Sequence, residues 1–408
     1  MKKLIFFSTL FAALMLMPCF SALACTSAII TGKATKDGRP WMWKHRDTGE
    51  LNNRIEYFKG DKYTFIGLVN SPSAGGEVWA GTNNVGFSIM NTVSYNLKNN
   101  DITETDRKER PLRVGELMYK ALESCKNLKD FEEMLDKMEH PVRIETNLGV
   151  IDAEGGAAYY EVNDTSWTKL DVNDPKIAPQ GYLVVTNFSY TGRLNEGMGY
   201  IRYLNAREIF SQKDMTLDIT PEWIFSSLSR SFYHSLLGID LAKDLTKVAP
   251  NGWFIDQDFI PRKSSSASIV IHGVKEREDP ANTVMWTILG YPPLAVAVPL
   301  FEKMGKDLPE YVIKSSDSDN CELCDLSLSL KEDIFPIKRG NGARYFNAAL
   351  LFNSEGTGYT QQVQMLESEI FYKFEPIMES IRAKGFDKEE LNNFYTEIAD
   401  LIRMFYEN

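Results

Sequence analysis

The first half of the chain carries short apolar runs and period-two alternations that are typical of β-strands. Residues 26–32 (TSAIITG) and 39–47 (RPWMWKHRD) flank a polar segment whose tip is Asp37-Gly38, a pair that favours a tight turn. Because side chains alternate along a strand, the two tryptophans of the second run share one face and Lys44 lies on the other. The pattern therefore predicts an antiparallel hairpin.

Similar strand-like runs recur along the chain and are separated by glycine-rich or polar turns. The last three runs are apolar enough to be buried on one or both faces. The further predicted strands are 63–69, 77–91, 146–153, 157–162, 181–189, 266–274, 282–290 and 293–300. The range 77–91 contains two strands joined by a turn.

Apolar residues take helical spacing in three other parts of the chain. Residues 113–138 predict two helices, and a second helical region begins at Gly199 and continues past Thr220, a candidate N-cap. Residues 361–408 predict two amphipathic helices that are separated near Gly385.

The order of these elements predicts a fold class. Two groups of strands, each accompanied by helices, fit two mostly antiparallel sheets that pack together and are covered outside by helices, a layered α+β architecture. No internal repeat and no linker divides the chain. Residues 25–408 are therefore predicted to form one domain, with residues 361–408 as a C-terminal extension.

The first 24 residues have the organisation of an export signal. Two lysines precede an apolar run at 4–17, and the small residues Ala22 and Ala24 form a signal-peptidase site. The apolar run is short for a helix that crosses a bilayer, so cleavage after Ala24 is favoured over a retained membrane anchor. The sequence thus predicts an exported protein, periplasmic or secreted, whose mature chain starts at Cys25.

Cleavage at this position gives Cys25 both a thiol and a free α-amine. A nucleophilic thiol needs a base, and the four histidines have no spacing that nominates one of them. An α-amine has a pKa near ~8 and can accept the thiol proton directly or through water. Cys25 is therefore a candidate nucleophile that carries its own base.

A lipidated cysteine is the alternative interpretation of Cys25. Ala22 stands where a lipidation signal has a leucine-like residue, and Thr26-Ser27 lead at once into an apolar strand rather than a polar tether. A buried first strand holds its terminus inside a site. The nucleophile is therefore favoured over a non-catalytic lipoprotein anchored through Cys25.

Charge and cysteine content narrow the function classes. A formal net charge of −11 makes nucleic acid an unfavourable partner, and 43% hydrophobic residues indicate an ordered globular chain.

The cysteines that remain after the signal are too few for a disulfide framework. Cys321 and Cys324 lie in the polar stretch 314–325, which is predicted to be a loop. These two cysteines could form a local disulfide, a redox pair or half of a metal site. The sequence has no second cysteine pair and no nearby histidine that would complete a zinc site.

The segment that starts at Cys25, CTSAIITGKATKDGRPWMWKHRD, resembles the opening of the N-terminal-nucleophile (Ntn) hydrolases that cleave linear amides. The similar group comprises the choloylglycine hydrolases, penicillin V acylases and acid ceramidases, with the acyl-CoA:6-aminopenicillanate acyltransferase-like (peptidase C45-like) proteins. This group begins with Cys-Thr, turns at Asp-Gly, and carries Arg-Asn-x-Asp on the returning strand. Asp47 matches the aspartate of that pattern, while Lys44 and His45 replace its arginine and asparagine.

Two further segments resemble the same group. GTNNVGFSIMN places Asn91 at one oxyanion-hole position, and GYLVVTNFSYTGRLNEGMGYIRY places Asn187 at the other. The resemblance covers residues 25 to about 300. It implies a four-layer αββα sandwich, a small-molecule amide as substrate, and neither a cofactor nor a metal.

The resemblance also implies a role for each matched residue. Cys25 attacks the amide carbonyl, Asn91 and Asn187 hold the oxyanion, Asp47 orients the α-amine, and Lys44 favours the thiolate. The implied reaction is hydrolysis of a linear amide C–N bond through an acyl-enzyme. Acyl transfer to an amine and a dipeptidase activity are the alternatives within the same group.

Two positions depart from the pattern of the group. Lys44 replaces a planar, bidentate arginine with a point charge, and Arg46 on the same side of the strand is a candidate substitute. Ile269 stands where the bile-salt hydrolases have a late arginine. Specificity for bile salts is therefore not expected.

Overall fold

The computed structural model describes residues 24–72, 75–98, 113–142, 144–213 and 219–407. The predicted signal segment therefore lies outside the described residues, apart from Ala24. The strands are β1 (Ala24–Ile30), β2 (Trp41–Asp47), β3 (Asn53–Lys59), β4 (Thr64–Asn70), β5 (Ala80–Asn83), β6 (Ser88–Val93), β7 (Thr146–Ile151), β8 (Ala157–Val162), β9 (Trp167–Asp171), β10 (Tyr182–Val185), β11 (Tyr233–His234), β12 (Ile239–Asp240), β13 (Trp253–Ile255), β14 (Ser265–His272), β15 (Val284–Leu289), β16 (Val298–Leu300) and β17 (Tyr345–Asn347). The α-helices are α1 (Val114–Ser124), α2 (Leu128–Asp136), α3 (Tyr200–Ser211), α4 (Pro221–Ile224), α5 (Leu241–Val248), α6 (Glu322–Ile334), α7 (Ala348–Leu351), α8 (Tyr359–Lys384) and α9 (Lys388–Glu407).

Most of the strands form two antiparallel sheets. The first sheet has six strands in the order β10-β1-β2-β14-β15-β16, and the second has seven in the order β3-β4-β5-β6-β7-β8-β9. Each strand of the second sheet pairs with its neighbour in sequence, so this sheet is a meander. In the first sheet, by contrast, the N-terminal hairpin β1–β2 is enclosed by β10 and β14, which come from distant parts of the chain.

The two sheets pack face to face. Ser27 of β1 shares a hydrogen bond with Thr92 of β6, with 2.8 Å between the hydroxyl oxygens. Tyr159 of β8 donates its hydroxyl to Ser27 Oγ over 3.0 Å. Apolar residues of both sheets, including Ile29, Met90 and Tyr159, belong to one buried cluster. The inner faces of β1 and of the second sheet therefore form the central interface of the molecule.

Helices cover the outer faces of both sheets. On the second sheet, Tyr160 of β8 packs edge-on against Phe131 of α2, with 5.1 Å between ring centres. On the first sheet, the Trp286 ring of β15 lies 4.3 Å from that of Phe371 in α8. The predicted four-layer αββα arrangement of two antiparallel sheets with outer helices is confirmed. Among the described residues, no helix is both long enough and apolar enough to cross a membrane.

Several elements differ from the pattern-based prediction. The strands β3 and β9, at the two edges of the second sheet, were not predicted, because partly exposed edge strands carry a weaker apolar signal. The stretch 314–325 was predicted to be a loop, but α6 begins within it and Cys321 is its N-cap residue. The acidic residues of the first turn favour a helix N-terminus, although their composition is also that of a loop.

A buried ion pair fastens α8 to the first sheet. Arg230 donates to both carboxylate oxygens of Glu367, over 2.7 and 2.5 Å, and also to the carbonyl oxygens of Pro292 and Ala295. Glu367 in turn accepts from the Ala297 backbone nitrogen over 2.7 Å. The pair thus holds the connection between β15 and β16 against the helix.

We expect Arg230→Ala to lower the free energy of unfolding by about 3–5 kcal/mol, because it leaves a buried carboxylate without its counter-charge. Chemical denaturation monitored by circular dichroism measures this loss. The control is Lys373→Ala, which breaks the 2.7 Å exposed ion pair with Glu397 between α8 and α9, and is expected to cost less than about 1 kcal/mol. Equal losses of unfolding free energy in the two variants would contradict the stabilising role of the buried Arg230–Glu367 pair.

Candidate active site

Cys25 lies near the start of β1, inside the first sheet, and is 5% exposed. It is directly opposite Arg46 of β2, and Ser27 is opposite Lys44. Because opposed residues of an antiparallel pair point to the same side, these four side chains share the face on which Ser27 contacts the second sheet. The Cys25 thiol therefore lies on the inner face of the first sheet, next to Arg46.

Asn187 and Arg202 hold the backbone of Cys25. The Cys25 nitrogen donates to Asn187 Oδ1 over 3.1 Å, and Asn187 Nδ2 donates to the Val93 carbonyl oxygen over 2.9 Å. Arg202 of α3 donates through Nη1 to the Cys25 carbonyl oxygen (2.7 Å) and Thr26 Oγ1 (2.9 Å), and through Nη2 to Asn187 Oδ1 (2.6 Å). Burial lowers the pKa of Arg202 to about 10, so the guanidinium is still positively charged at neutral pH.

Lys44 and Asn91 interact on the same inner face. The Lys44 ammonium nitrogen, Nζ, lies 2.7 Å from Asn91 Oδ1 and 2.5 Å from the Trp79 carbonyl oxygen, and it donates to both. Burial lowers the pKa of Lys44 to about 7, with Cys25 acting to raise it and Arg46 to lower it further. The carbonyl end of the Asn91 side chain is therefore anchored, and its Nδ2 has no hydrogen-bond partner among the described residues.

Asp47 ends β2 and lies directly across from Ala24, on the face opposite to the thiol. Its carboxylate pairs with Arg262 Nη2 over 2.5 Å and accepts from Ser265 Oγ over 2.5 Å. Burial acts to raise the pKa of Asp47, but the positive charges around it, Arg262 first, hold the pKa below its ordinary value. His45 is 3.7 Å away and is neutral at neutral pH, because burial lowers its pKa to about 4.

Arg46 and Tyr95 complete the surroundings of the thiol. Arg46 donates to Asn70 Oδ1 over 2.7 Å, and its guanidinium carbon lies 5.2 Å from the centre of the Trp79 ring. Burial and the proximity of Cys25 raise the pKa of Tyr95 to about 12, so its hydroxyl stays protonated. The thiol therefore has cationic and aromatic neighbours on its own face.

The structure brings the five predicted site residues to one end of the β1–β2 hairpin. Cys25, Lys44 and Asn91 lie on or against the inner face, Asn187 contacts the Cys25 nitrogen, and Asp47 lies one position beyond, on the outer side. Two side-chain contacts of this site, made by Arg202 and Arg262, are not predicted from the sequence.

The two residues that were missed are both arginines. Arg202 lies within the quoted segment GMGYIRY, but helical spacing does not show that its side chain reaches Cys25. Arg262 precedes β14 in a loop, so the strand pattern gives no sign that it contacts Asp47. Ile269, the position where an arginine was sought, is buried in β14 opposite Lys44.

Cys321 and Cys324 are buried free thiols at the start of α6. Cys321 Sγ donates to the Asn53 carbonyl oxygen over 3.3 Å, and Cys324 Sγ donates to the Leu51 carbonyl oxygen over 3.6 Å. In the parts of the chain that the structure describes, no group of three or more His, Cys, Asp or Glu residues could hold a metal ion. The two thiols therefore fasten α6 to the β2–β3 connection.

Comparison with known proteins gives structural matches only. No protein-family model and no curated protein sequence matches the chain. Among solved structures, one similar chain is the Caenorhabditis elegans ortholog of N-acylethanolamine-hydrolyzing acid amidase. It has 14% identity and a TM-score of 0.37, and the match covers 63% of this chain and 93% of that one.

Two further solved structures are similar. A variant of conjugated bile acid hydrolase from Clostridium perfringens has 11% identity and a TM-score of 0.42, with 68% of this chain and 93% of that chain covered. Penicillin V acylase from Agrobacterium tumefaciens has 12% identity and a TM-score of 0.37, with 65% and 83% covered. The chain is thus similar in structure, at low identity, to all three of these solved proteins.

Proposed function

We propose that this chain is an exported hydrolase that cleaves the C–N bond of a linear amide in a small molecule, with the Cys25 thiol as its nucleophile. One observation carries the proposal. The hydrogen bond from the Cys25 nitrogen to Asn187 Oδ1 joins two predicted site residues that are 162 positions apart. A buried cysteine held by an amide side chain and a buried arginine is the arrangement that a fixed nucleophile requires.

Cleavage after Ala24 turns the Cys25 nitrogen into an α-amine at the same place. Ala24 is the residue opposite Asp47, so its removal leaves the new amine at the end of β1 that faces Asp47. A carboxylate with a lowered pKa stabilises the ammonium form of a neighbouring amine. Asn187 Oδ1 accepts a hydrogen bond from the same nitrogen. The α-amine is therefore oriented from two sides.

The asparagines supply donors for the oxyanion. Asn91 keeps its Nδ2 available because Lys44 binds the carbonyl end of the same side chain. Asn187 has its carbonyl end fixed by Arg202, and one hydrogen of its Nδ2 is donated to the Val93 carbonyl oxygen, so the other hydrogen is the proposed oxyanion donor. In enzymes of this kind, removal of one such donor costs about 2.7–4 kcal/mol of transition-state stabilisation.

The reaction proceeds in two stages. The Cys25 thiolate attacks the amide carbonyl carbon, and the C–N bond breaks as the α-ammonium gives a proton to the leaving nitrogen. The products of this stage are a thioester and a free amine. Water then attacks the thioester, the α-amine takes a proton from that water, and the acid and the thiol are released.

We expect the purified secreted form to hydrolyse at least one series in a panel of N-acyl amino acids, penicillin V, conjugated bile salts and dipeptides. Release of equal amounts of acid and amine, measured by chromatography, establishes hydrolysis. Addition of a second amine distinguishes acyl transfer, because a new amide then replaces part of the acid. Intact mass should give Cys25 as the first residue. A diacylglycerol adduct on Cys25, or a chain that starts at Thr26, would contradict the proposal.

A further inference from the structure

Lys44 is a buried lysine with an unusual set of partners. Its side chain is almost completely enclosed, at 1% exposure, and both of its acceptors, Asn91 Oδ1 and the Trp79 carbonyl oxygen, are uncharged. None of the ion pairs formed among the described residues includes Lys44. The charged group next to it on β2 is Arg46, which is a cation as well.

This environment favours the neutral amine over the ammonium. A buried charge without a counter-charge is costly, and two neutral acceptors with a neighbouring cation do not compensate it. The lowered pKa of Lys44 has the same cause. A neutral amine has two N–H donors, which match the two acceptors present, and one lone pair that remains available.

The Lys44 side chain lies on the side of the sheet that carries the thiol. Lys44 is opposite Ser27, and Cys25 is two residues away on the same strand and the same face. Such diagonal neighbours have α-carbons roughly 7–8 Å apart, within reach of a long side chain. Cys25 acts to raise the pKa of Lys44, in opposition to the effect of burial.

We propose that Lys44 is the general base that accepts the proton of the Cys25 thiol. This inference rests on the proposed nucleophilic role of Cys25. Sequence alone assigns the same step to the α-amine, but the residue that precedes this nitrogen lies opposite Asp47, and a carboxylate at that end of the strand favours the protonated form of the amine. The Lys44 amine and the α-amine of Cys25 therefore have different roles. Lys44 activates the thiol, and the α-ammonium protonates the leaving amine.

The protons balance over a complete cycle. Neutral Lys44 takes the proton from Sγ, and the thiolate attacks while the α-ammonium loses its proton to the leaving nitrogen. In the second stage the α-amine regains a proton from the attacking water. The ammonium of Lys44 returns its proton to the departing thiolate, which restores both groups to their initial state.

The first test measures thiol reactivity without any substrate, in the full chain before cleavage, where Cys25 has no free α-amine. Alkylation of Cys25 by iodoacetamide is followed by peptide mass spectrometry between pH 5 and pH 10. We expect the rate to rise through a midpoint near 7, because the thiol gives its proton to a Lys44 amine whose pKa burial lowers to about 7. An ordinary thiol has a midpoint near ~8.5. A wild-type midpoint at or above that of an ordinary thiol would overturn the proposal.

The variant Lys44→Met should move this midpoint upward and slow alkylation at pH 7 by about tenfold. Lys33→Met, at an exposed lysine that donates to the Asn173 carbonyl oxygen, is the matched control and should keep the wild-type profile. An unchanged profile in Lys44→Met would show that Lys44 does not act on the thiol.

The second test separates proton transfer from charge. Lys44→Arg in the cleaved chain retains a cation but cannot accept a proton at neutral pH. We expect kcat for amide hydrolysis to fall by roughly 10²-fold with little change in KM, while alkylation stays rapid. Wild-type turnover in Lys44→Arg would overturn the role as a base. If no substrate is cleaved but alkylation still depends on Lys44, the proposed hydrolysis fails and the thiol–lysine pair stands.

Discussion

Replacement of Cys25 by alanine is expected to abolish amide hydrolysis, with a loss in kcat of roughly 10⁴-fold or more. The proposed reaction has no covalent step without the sulfur, and the neighbouring donors can only bind substrate. Cys25→Ser should be nearly as inactive, because a hydroxyl is far less acidic than a thiol and Lys44 is too weak a base to ionise it. Initial rates with the best substrate of the panel, together with a trapped acyl-enzyme mass in the wild type, measure this effect.

Cys125→Ala provides the matched control for this experiment. Cys125 is equally buried, but it caps α1 in the cluster between the second sheet and its outer helices. The same atom is removed there, so a general effect of cysteine loss on packing is reproduced without touching the proposed site. We expect near wild-type kcat in Cys125→Ala. Comparable activity in Cys25→Ala and Cys125→Ala would exclude Cys25 as the nucleophile.

The hairpin that carries the site could be predicted from sequence because its signals are local. Alternation along residues 26–32 and 39–47 gives the faces, and Asp37-Gly38 gives the turn, with Gly38 in the left-handed region at φ 72°. These signals predict the pairing of the two strands, and the structure adds the register, in which Cys25 lies opposite Arg46. The side that Lys44 occupies follows from the same alternation.

The contacts made by the two arginines could not be predicted, because they depend on tertiary packing. Arg202 reaches Cys25 only after α3 packs against β10 at the edge of the first sheet. Arg262 reaches Asp47 from a loop whose path is set by β14. In both cases a residue that looks like ordinary surface charge in the sequence becomes a buried contact of the site. The bile-salt hydrolases have a late arginine at the position of Ile269. A sequence pattern of this kind gives the position of a residue along the chain, but not which side chains the folded backbone brings together.

Asn187→Ala is expected to lower kcat by roughly 10²–10³-fold, because it removes an oxyanion donor and the acceptor that orients the Cys25 nitrogen. It also leaves Arg202 Nη2 without the acceptor that it has now at 2.6 Å. Single-turnover rates of acylation measure the effect on the chemical step. Asn353→Ala is the control, because the side chain of this asparagine forms hydrogen bonds with Thr357, within the loop that precedes α8.

A second substitution at the same position separates the two functions of Asn187. Asn187→Asp keeps an oxygen facing Cys25, and its charge-assisted pair with Arg202 offsets the loss of the hydrogen bond that Asn187 Nδ2 donates to the Val93 carbonyl oxygen. Its carboxylate cannot donate to an oxyanion, and its negative charge opposes both the thiolate and the tetrahedral intermediate. We therefore expect Asn187→Asp to lose as much activity as Asn187→Ala while it unfolds at nearly the wild-type denaturant concentration. Substantial activity in Asn187→Asp would mean that Asn187 serves only to position Cys25, and that the oxyanion is held by Asn91 without it.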